Sequence, residues 1–267
     1  MIRVIVDGVC GRMGKLLVKG VTREEDMKLV GAVEFSGYPD VGEDVGEMLG
    51  MGRLGVPVTG SLSEVVCDSD VVIEFTKPEA TLENVRAVVE ANRAMVIGTT
   101  GFTDNQLAEL QALAAKIRCV MAPNMSVGVN VMLQAIQVVA KALGADYDVE
   151  VIEAHHNQKV DAPSGTAIRI AETLSSALDR SLPEAAVYGR HGIVGKRTEK
   201  EIGIHAIRGG DIAGDHTVLF AGSGERIEIV HRAHTPEAFA KGAIRAARWV
   251  VAAPPGLHDI GEVLFSQ

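Results

Sequence analysis

The chain of 267 residues is long enough for two domains, and 47% hydrophobic and 23% charged residues are typical of a globular protein. A net charge of −9 argues against a nucleic-acid partner, because phosphate binding requires a basic surface. Three cysteines without a Cys-x-x-Cys spacing indicate neither a disulfide framework nor a zinc motif, and a reducing cytoplasm suits them. No apolar run approaches the length of a membrane span and Asp7 interrupts the N-terminal apolar run early, so no membrane role and no secretory signal are predicted.

The first half of the chain alternates short apolar runs with longer amphipathic segments. Such alternation predicts βαβ units, and hence an α/β fold with a Rossmann-type, doubly wound parallel sheet. The predicted elements are strands at 2–6, 28–34, 70–75, 95–100 and 118–123, with helices at 79–92 and 103–117.

The pattern changes near residue 127, after which strands and helices no longer alternate regularly. Polar residues at every second position of the later strands predict an antiparallel or mixed sheet with one exposed face, and hence a second, α+β domain. The predicted elements are a long apolar helix at 127–143, a strand at 147–154, a helix at 164–180, strands at 202–208, 216–222 and 225–233, and a helix at 236–253.

A glycine-rich turn, DGVCGRMG, follows the first predicted strand, and Gly8, Gly11 and Gly14 have a variant of the dinucleotide-binding spacing. Glycines let the backbone approach a pyrophosphate, which the N–H groups of the next helix bind, and Arg12 adds a cation there. Glu34 ends the second strand, where a Rossmann fold places the carboxylate that binds the adenosine ribose. An ordinary strand-to-helix turn is the alternative, but Glu34 and the position after the first strand favour a dinucleotide site.

Two small polar turns, FTKP and GTTGF, follow further predicted strands. Ligands of an open parallel sheet bind just outside the carboxyl ends of its strands, so these turns are candidate cofactor contacts. The residues concerned are Phe75, Gly98, Thr99 and Thr100.

The segment APNMSVGVN, at 122–130, is interpreted both as a hinge and as a wall of the cofactor site. Asn124 and Ser126 offer polar contacts, and Met125 offers a surface for a flat ring. The same segment also begins the helix predicted at 127–143, and the two interpretations are compatible.

The densest chemistry lies in EAHHNQKVDAPSGTA, at 153–167, immediately before a predicted helix. If Ser164 caps that helix, the first backbone N–H groups after it can bind a carboxylate. A lysine adds positive charge, and a histidine titrating near neutral pH can donate a proton. The pattern favours a small carboxylate substrate that is protonated while a nicotinamide cofactor supplies hydride. The candidate residues are His155, His156, Lys159, Gly165 and Thr166.

A solvated loop and a zinc site are the alternatives for this segment. Glu153, His155, His156 and Asp161 are potential ligands, but Lys159 among them would oppose a cation. No second cluster with metal spacing accompanies them, so no metal is predicted.

The run EVIEAHHNQKVDAPSGTA, at 150–167, resembles the signature of the dihydrodipicolinate (4-hydroxy-tetrahydrodipicolinate) reductases of bacterial lysine and diaminopimelate synthesis. The resemblance covers nearly the whole chain. It extends through GRMG, FTKPEAT, VIGTTGF, NMSVGVNVM, GDIAGDHTV and GERIEI, in order and spacing.

The resemblance implies NAD(P)H-dependent reduction of 4-hydroxy-tetrahydrodipicolinate, a small dicarboxylate, to tetrahydrodipicolinate. It implies a dinucleotide-binding domain at 1–126 and 237–267, and a substrate-binding domain at 127–236 whose mixed sheet forms a homotetramer. His155 is then the catalytic acid and Lys159 the second catalytic residue, while His156, Gly165 and Thr166 line the substrate site. The implied cofactor contacts are Gly8, Arg12, Met13, Glu34, Gly98, Thr100, Pro123, Asn124, Met125 and Ser126.

One departure concerns cofactor choice. The family often has an arginine after the acidic residue of the second strand, and here that residue is Phe35. EFSG offers no guanidinium to a 2′-phosphate, so NADH is predicted to be preferred and NADPH to remain usable. Two other functions stay open: a different two-domain NAD(P)-dependent dehydrogenase of amino-acid metabolism, and a non-catalytic dinucleotide-sensing regulator.

Overall fold

The computed structural model describes residues 1–266, which form two compact units. Unit 1 comprises Met1–Val127 and the segment that starts at Glu237, and unit 2 comprises Gly128–Pro236. The chain therefore leaves unit 1 once and returns to it at Glu237.

The strands of unit 1 are β1 to β6 and β12, and those of unit 2 are β7 to β11. Their bounds are Ile2–Asp7 (β1), Met27–Val33 (β2), Val58–Thr59 (β3), Val71–Glu74 (β4), Ala94–Ile97 (β5), Arg118–Met121 (β6), Asp148–His155 (β7), Ala186–Tyr188 (β8), Ile202–Arg208 (β9), Gly214–Ala221 (β10), Arg226–Ala233 (β11) and Gly256–His258 (β12).

The helices are numbered in the same way, and three short 3-10 turns lie at Leu62–Glu64, Val66–Asp68 and Gly144–Asp146. The helix bounds are Arg12–Val21 (α1), Val45–Met48 (α2), Pro78–Glu90 (α3), Asp104–Ala114 (α4), Val127–Leu143 (α5), Gly165–Ala177 (α6), Leu182–Ala185 (α7), Glu237–Val250 (α8) and Ile260–Phe265 (α9).

Unit 1 contains a seven-stranded sheet in the order β12-β6-β5-β4-β1-β2-β3, and its neighbouring strands are all parallel. Alternate residues of β1 enter two cores: Val4 and Val6 pack with α1 and α8, and Ile5 packs with α3 and α4. Helices on both faces explain why the central strands are apolar throughout. The predicted doubly wound parallel sheet is confirmed.

Unit 2 contains a five-stranded mixed sheet in the order β11-β10-β7-β9-β8. Strand β10 is antiparallel to β7 and β11, whereas β9 is parallel to β7 and β8. One face packs on α5 and α6, through residues such as Ile136, Val151 and Ile170. The predicted mixed sheet is confirmed, and the alternating burial along β7 follows from its one covered face.

The sequence analysis did not identify several short elements, namely β3, β8, β12, α2, α7 and α9. Each has two to six residues, too few for a hydrophobic period to show. Strand β12 joins the edge of the unit 1 sheet only because α8 has already returned the chain to that unit.

The expectation that no apolar segment reaches membrane length is wrong on length and composition. Helix α5 with the following 3-10 turn, Val127–Asp146, has 20 residues, and an 18-residue window within it has a mean hydropathy of 1.4. By length and composition alone, this segment could cross a membrane. In the structure, Met132, Ile136 and Ala140 of this helix lie in the core of unit 2. Only one face of the helix is covered in this way, since Val131 and Val138 are 45% and 67% exposed.

Candidate active site

The glycine turn between β1 and α1 is a tight backbone structure. Gly8 has φ +83°, and a Cβ on Gly14 would stand 2.0 Å from the Gly8 carbonyl oxygen. The Gly11 N–H donates to the Gly8 carbonyl oxygen at 3.0 Å, and Gly11 is the N-cap of α1. Because glycine has no capping side chain, the first N–H groups of α1 are presented by backbone alone.

The Glu34 carboxylate lies one residue beyond β2 and is held by two backbone donors. The Cys10 N–H donates to Glu34 Oε2 at 3.0 Å, and the Phe35 N–H donates to Oε1 at 3.2 Å. The Phe35 side chain is 63% exposed and contacts the Tyr38 ring edge-on. The predicted ribose ligand is therefore fixed beside the glycine turn.

The predicted residues at the ends of β4 and β5 have different environments. A Cβ on Gly98 would stand 2.1 Å from the Phe75 ring, so these two residues pack directly together. Thr99 is buried, and its Oγ1 donates to Glu74 and accepts from the Thr76 N–H at 2.8 Å. Thr100 is exposed. The Thr99 side chain thus faces the protein interior, and a cofactor contact through it stays a prediction.

The segment after β6 is mostly internal. Asn124 Oδ1 accepts a hydrogen bond from the Ser126 N–H at 2.9 Å, and both Met125 and Ser126 are buried. Met125 belongs to the core of unit 1, and a Cβ on Gly242 would overlap its carbonyl oxygen. Core packing does not support contact between the Met125 side chain and a flat cofactor ring, which stays a prediction.

The remaining cofactor candidates, Arg12, Met13 and Pro123, lie at the same edge of the sheet. Arg12 and Pro123 are exposed, and Met13 packs partly against the core. Since all strands of this sheet are parallel, the ends of β1, β2, β4, β5 and β6 bring every predicted cofactor residue to one edge.

Sequence reasoning missed two buried carboxyl groups beneath this edge. Asp7 ends β1 and Glu74 ends β4, in register with each other. Burial first, and then the charges of Glu74 and Glu34, raise the pKa of Asp7 well above its ordinary value. Burial also raises the pKa of Glu74, against hydrogen bonds from three threonines, and Asn84 donates to Asp7 at 2.5 Å. Their strand-end positions were visible in the sequence, but their pairing was not.

In unit 2, His155 ends β7 and is oriented by a buried carboxylate. Glu153 and His155, two residues apart on one strand, share the core face, and His155 Nδ1 lies 2.5 Å from Glu153 Oε2. Arg208 donates from both terminal nitrogens to the two Glu153 oxygens at 2.8 Å. The Ser164 N–H donates to Glu153 Oε1 at 3.0 Å. Burial opposes ionisation of Glu153, but these partners together hold its pKa below the ordinary value.

His216 is a second histidine that the sequence analysis did not select. Its ring meets the His155 ring edge-on at a centroid distance of 5.3 Å, and its Nε2 lies 3.4 Å from Ser164 Oγ. Burial, followed by the charge of His155, lowers the pKa of His216 to about 4. His216 is therefore neutral at physiological pH, and its Nδ1 lacks a hydrogen-bond partner among the described residues.

Lys159 lies in the loop between β7 and α6, and its ammonium pairs with Asp161 Oδ1 at 2.8 Å. The strand has ended at His155, and the His156 N–H donates to the Ile212 carbonyl oxygen at 2.8 Å. The loop thus carries a half-buried cation and a second histidine next to His155. Among the described residues, no three histidine, cysteine, aspartate or glutamate side chains are arranged to hold a metal ion.

The start of α6 has the predicted cap, since Ser164 Oγ accepts a hydrogen bond from the Ala167 N–H at 3.2 Å. A Cβ on Gly165 would have no heavy atom within 4 Å, so open space lies beside its backbone. Thr166 follows, half-buried. This helix terminus can accept an anion against its main chain.

Comparison with known proteins identifies the family. The model described as "Dihydrodipicolinate reductase, N-terminus" matches residues 2–125, and that described as "Dihydrodipicolinate reductase, C-terminus" matches residues 128–264. The chain belongs to the dihydrodipicolinate reductase family. The predicted resemblance is confirmed over nearly the full length.

Individual members of the family agree with this assignment. A 4-hydroxy-tetrahydrodipicolinate reductase of Syntrophus aciditrophicus is 47% identical, covering 99% of this chain and 98% of the relative. One of Hahella chejuensis is 51% identical, covering 99% of each. Among solved structures, a dipicolinate-bound dihydrodipicolinate reductase from Paenisporosarcina sp. TG-14 is 28% identical, with a TM-score of 0.77 and 99% of both chains covered.

Membership of the dihydrodipicolinate reductase family makes the chain an NAD(P)H-dependent oxidoreductase of lysine and diaminopimelate biosynthesis. The predicted enzyme class is confirmed, and it displaces the two alternatives, a different dehydrogenase and a non-catalytic regulator. An amine dehydrogenase from Mycobacterium smegmatis is 18% identical with a TM-score of 0.61 over 97% of this chain and 95% of its own, and it shows a shared fold alone.

Proposed function

We propose that this chain reduces 4-hydroxy-tetrahydrodipicolinate to tetrahydrodipicolinate, with His155 as proton donor and NADH as the preferred cofactor. The observation that carries the proposal is the placement of a carboxylate-oriented histidine, a lysine and an open helix N-terminus within one short segment, 153–167. Two relatives that match nearly the whole chain, at 47% and 51% identity, are named 4-hydroxy-tetrahydrodipicolinate reductase.

The residues of unit 1 fit a dinucleotide. The backbone of the Gly8–Gly14 turn and the first N–H groups of α1 would hold the pyrophosphate, and Arg12 is exposed beside them. The Glu34 carboxylate, fixed by two N–H groups, would accept hydrogen bonds from the ribose hydroxyls. When bound, the nicotinamide supplies hydride.

The residues of unit 2 suit a dicarboxylate. Lys159 supplies the positive charge, and the open space beside Gly165 at the start of α6, next to Thr166, lets a carboxylate approach the main chain. His156 lies in the same loop and adds a polar contact. The Paenisporosarcina enzyme was solved with dipicolinate, a cyclic dicarboxylate, which supports this substrate class.

Proton delivery follows from the contacts of His155. Its Nδ1 faces the Glu153 carboxylate, which holds that nitrogen as the donor and leaves Nε2 to exchange a proton with the substrate. Gly214 provides the space, because a Cβ there would approach His155 Nε2 to 3.1 Å. The substrate gains a hydride and a proton, the latter given from Nε2, and its 4-hydroxyl group leaves as water, so that the conversion to tetrahydrodipicolinate balances.

We further propose a homotetramer in the cytoplasm. The face of the mixed sheet away from α5 and α6 exposes Ile207 on β9 and Val230 on β11, which are 51% and 42% exposed. An exposed apolar sheet face favours association with a second sheet. Analytical ultracentrifugation tests the oligomeric state, and a monomer at micromolar concentration would contradict it.

Turnover decides the main proposal. Purified chain is mixed with NADH and freshly generated 4-hydroxy-tetrahydrodipicolinate, and loss of nicotinamide absorbance is followed. We expect substrate-dependent NADH oxidation with tetrahydrodipicolinate as product. Binding of NADH without oxidation in the presence of this substrate would contradict the proposal.

A further inference from the structure

We propose that Arg208 is a positioning residue that holds both proposed catalytic groups, His155 through Glu153 and Lys159 through Asp161. This inference rests on the proposed function. Arg208 ends β9 opposite His155 in the parallel pairing with β7. Its guanidinium donates to Glu153 at 2.8 Å from both terminal nitrogens and to the Asp161 carbonyl oxygen at 2.6 Å.

The route to His155 passes through a fully buried carboxylate. Glu153 is 0% exposed, so water cannot compensate the charge of its carboxylate. The bidentate contact with Arg208 compensates that charge instead. An ionised carboxylate only accepts hydrogen bonds, so the 2.5 Å contact requires the hydrogen to be on His155 Nδ1. Arg208 thereby selects the imidazole tautomer and the direction in which Nε2 points.

The route to Lys159 passes through the loop backbone. Asp161 offers its carbonyl oxygen to Arg208 and its carboxylate to the Lys159 ammonium, which lies 2.8 Å away. The Lys159 N–H donates to the His156 carbonyl oxygen at 3.2 Å, which closes the turn. A single guanidinium is therefore bonded to the two chain segments that carry the proton donor and the cation.

The geometry favours a positioning role over a generic ion pair. Arg208 Nε is buried without a partner among the described residues. The guanidinium is therefore oriented so that its two terminal nitrogens bind Glu153, although this orientation leaves one buried donor unpaired. A lysine at this position keeps the charge but has a single nitrogen, and it cannot reach both Glu153 oxygens and the Asp161 carbonyl in one plane. Arg208→Lys thus keeps the positive charge beside Glu153 but removes the bidentate hydrogen bonds, so it tests the two contributions separately.

A matched control lies in the same sheet. Arg190 binds both oxygens of Glu150 at 2.9 Å, and Glu150 lies on β7 three residues before Glu153 and on the opposite face. The Arg190 side chain is 28% exposed and that of Arg208 is 21% exposed. Arg190→Lys therefore removes an equivalent fork without touching the proposed catalytic groups.

The experiment compares Arg208→Lys, Glu153→Gln and Arg190→Lys in the full chain. We expect Arg208→Lys and Glu153→Gln to lower kcat by about tenfold or more and to alter the pH dependence of kcat, with NADH affinity within about twofold. Arg190→Lys should leave both kcat and its pH dependence unchanged. An Arg208→Lys variant whose kcat and pH profile match those of Arg190→Lys would overturn the proposal.

The imidazole tautomer gives a readout that does not depend on turnover. Long-range ¹H–¹⁵N NMR of the unmodified chain, with the His155 signals assigned by their loss in His155→Gln, should show neutral His155 protonated at Nδ1. Protonation at Nε2 instead would overturn the inference even if the enzyme is active. An inactive wild-type chain with the Nδ1–H tautomer would refute the proposed function while leaving the Arg208–Glu153–His155 arrangement supported.

Discussion

The Cys10 backbone N–H donates a hydrogen bond to Glu34 Oε2 at 3.0 Å, which ties the ribose-binding candidate to the glycine turn. With the Phe35 N–H on its other oxygen, the carboxylate has little freedom to move away from a bulky 2′-phosphate. The segment 35–37 has no guanidinium to neutralise such a phosphate. Cofactor choice should therefore follow from these few residues.

We expect kcat/KM to favour NADH over NADPH by about ten- to a hundredfold, since a missing charge-assisted partner costs roughly 1.5–3 kcal/mol. Phe35→Arg should narrow or invert the ratio. Phe265→Arg, which adds the same charge at an exposed aromatic residue of α9, should leave it unchanged. Steady-state kinetics with both cofactors measures this, and equal use of NADPH by the wild type would contradict the prediction.

His155→Gln should lower kcat by about 10²- to 10⁴-fold, the usual contribution of a positioned acid. NADH affinity, measured by fluorescence titration, should be unchanged because the cofactor candidates all lie in unit 1. The control is His191→Gln, which alters an exposed loop histidine. A His155→Gln enzyme with nearly normal kcat would remove His155 from the mechanism.

Lys159→Ala should raise KM for the dicarboxylate and lower kcat, because a half-buried ammonium is lost from the proposed carboxylate site. Lys200→Ala removes an exposed loop lysine and should alter neither parameter. If Lys159 only pairs with Asp161 on the surface, its replacement changes stability by about 0.5 kcal/mol or less and leaves kinetics intact. Kinetics on folded protein separates these outcomes.

His216 should make the protein less stable in mild acid. Because burial lowers its pKa to about 4 in the folded state, the unfolded chain binds more protons as the pH falls from its ordinary value toward that range. Stability from neutral His216 is thus present above the unfolded pKa and is lost as the pH falls.

His216→Gln keeps an acceptor for Ser164. Between about pH 7 and about pH 4.5, the free energy of unfolding of this variant should fall by roughly 1–3 kcal/mol less than that of the wild type. Urea denaturation at both pH values measures the difference. His191→Gln is again the control, as an exposed histidine. If the free energy of unfolding falls equally in His216→Gln and in the wild type, His216 becomes protonated in the folded state as readily as in the unfolded chain, which would contradict the prediction.

Asp7 should have the opposite effect on pH dependence. Its raised pKa means that the folded state holds a proton longer than the unfolded chain, so its contribution to stability is present at low pH and lost as the pH rises. Asp7→Asn keeps the size and the partnership with Asn84 while removing the buried charge.

The Asp7→Asn variant should therefore be more stable than wild type by about 1–2 kcal/mol at about pH 8, with a smaller gain at about pH 5. Denaturant unfolding at the two pH values tests the sign. Asp68→Asn, at an exposed site in the same unit, should show no such trend. A larger gain at low pH would mean that Asp7 is ionised and compensated in the folded state.

The sequence alone determined the features that are local along the chain. The glycines after the first strand, Glu34 one strand later, and the Ser164 cap all act within a turn or a βαβ unit, where spacing fixes geometry. The run at 153–167 likewise placed His155 and Lys159 together because they are only four positions apart in the chain, within the reach of one turn. The fold class followed from the hydrophobic periods of the two halves.

Only the tertiary structure decided which distant residues complete these sites. Arg208 and Glu153 are 55 residues apart, and Ser164 and His216 are 52 apart. Their contacts depend on the register in which β9 and β10 flank β7 on opposite sides, because a shift of one residue would turn Arg208 or His216 to the other face of the sheet. The pairing of Asp7 with Glu74 has the same origin, since β1 and β4 become neighbours only when the sheet assembles. Strand order and register are set by packing of the whole unit, and no short stretch of sequence specifies them.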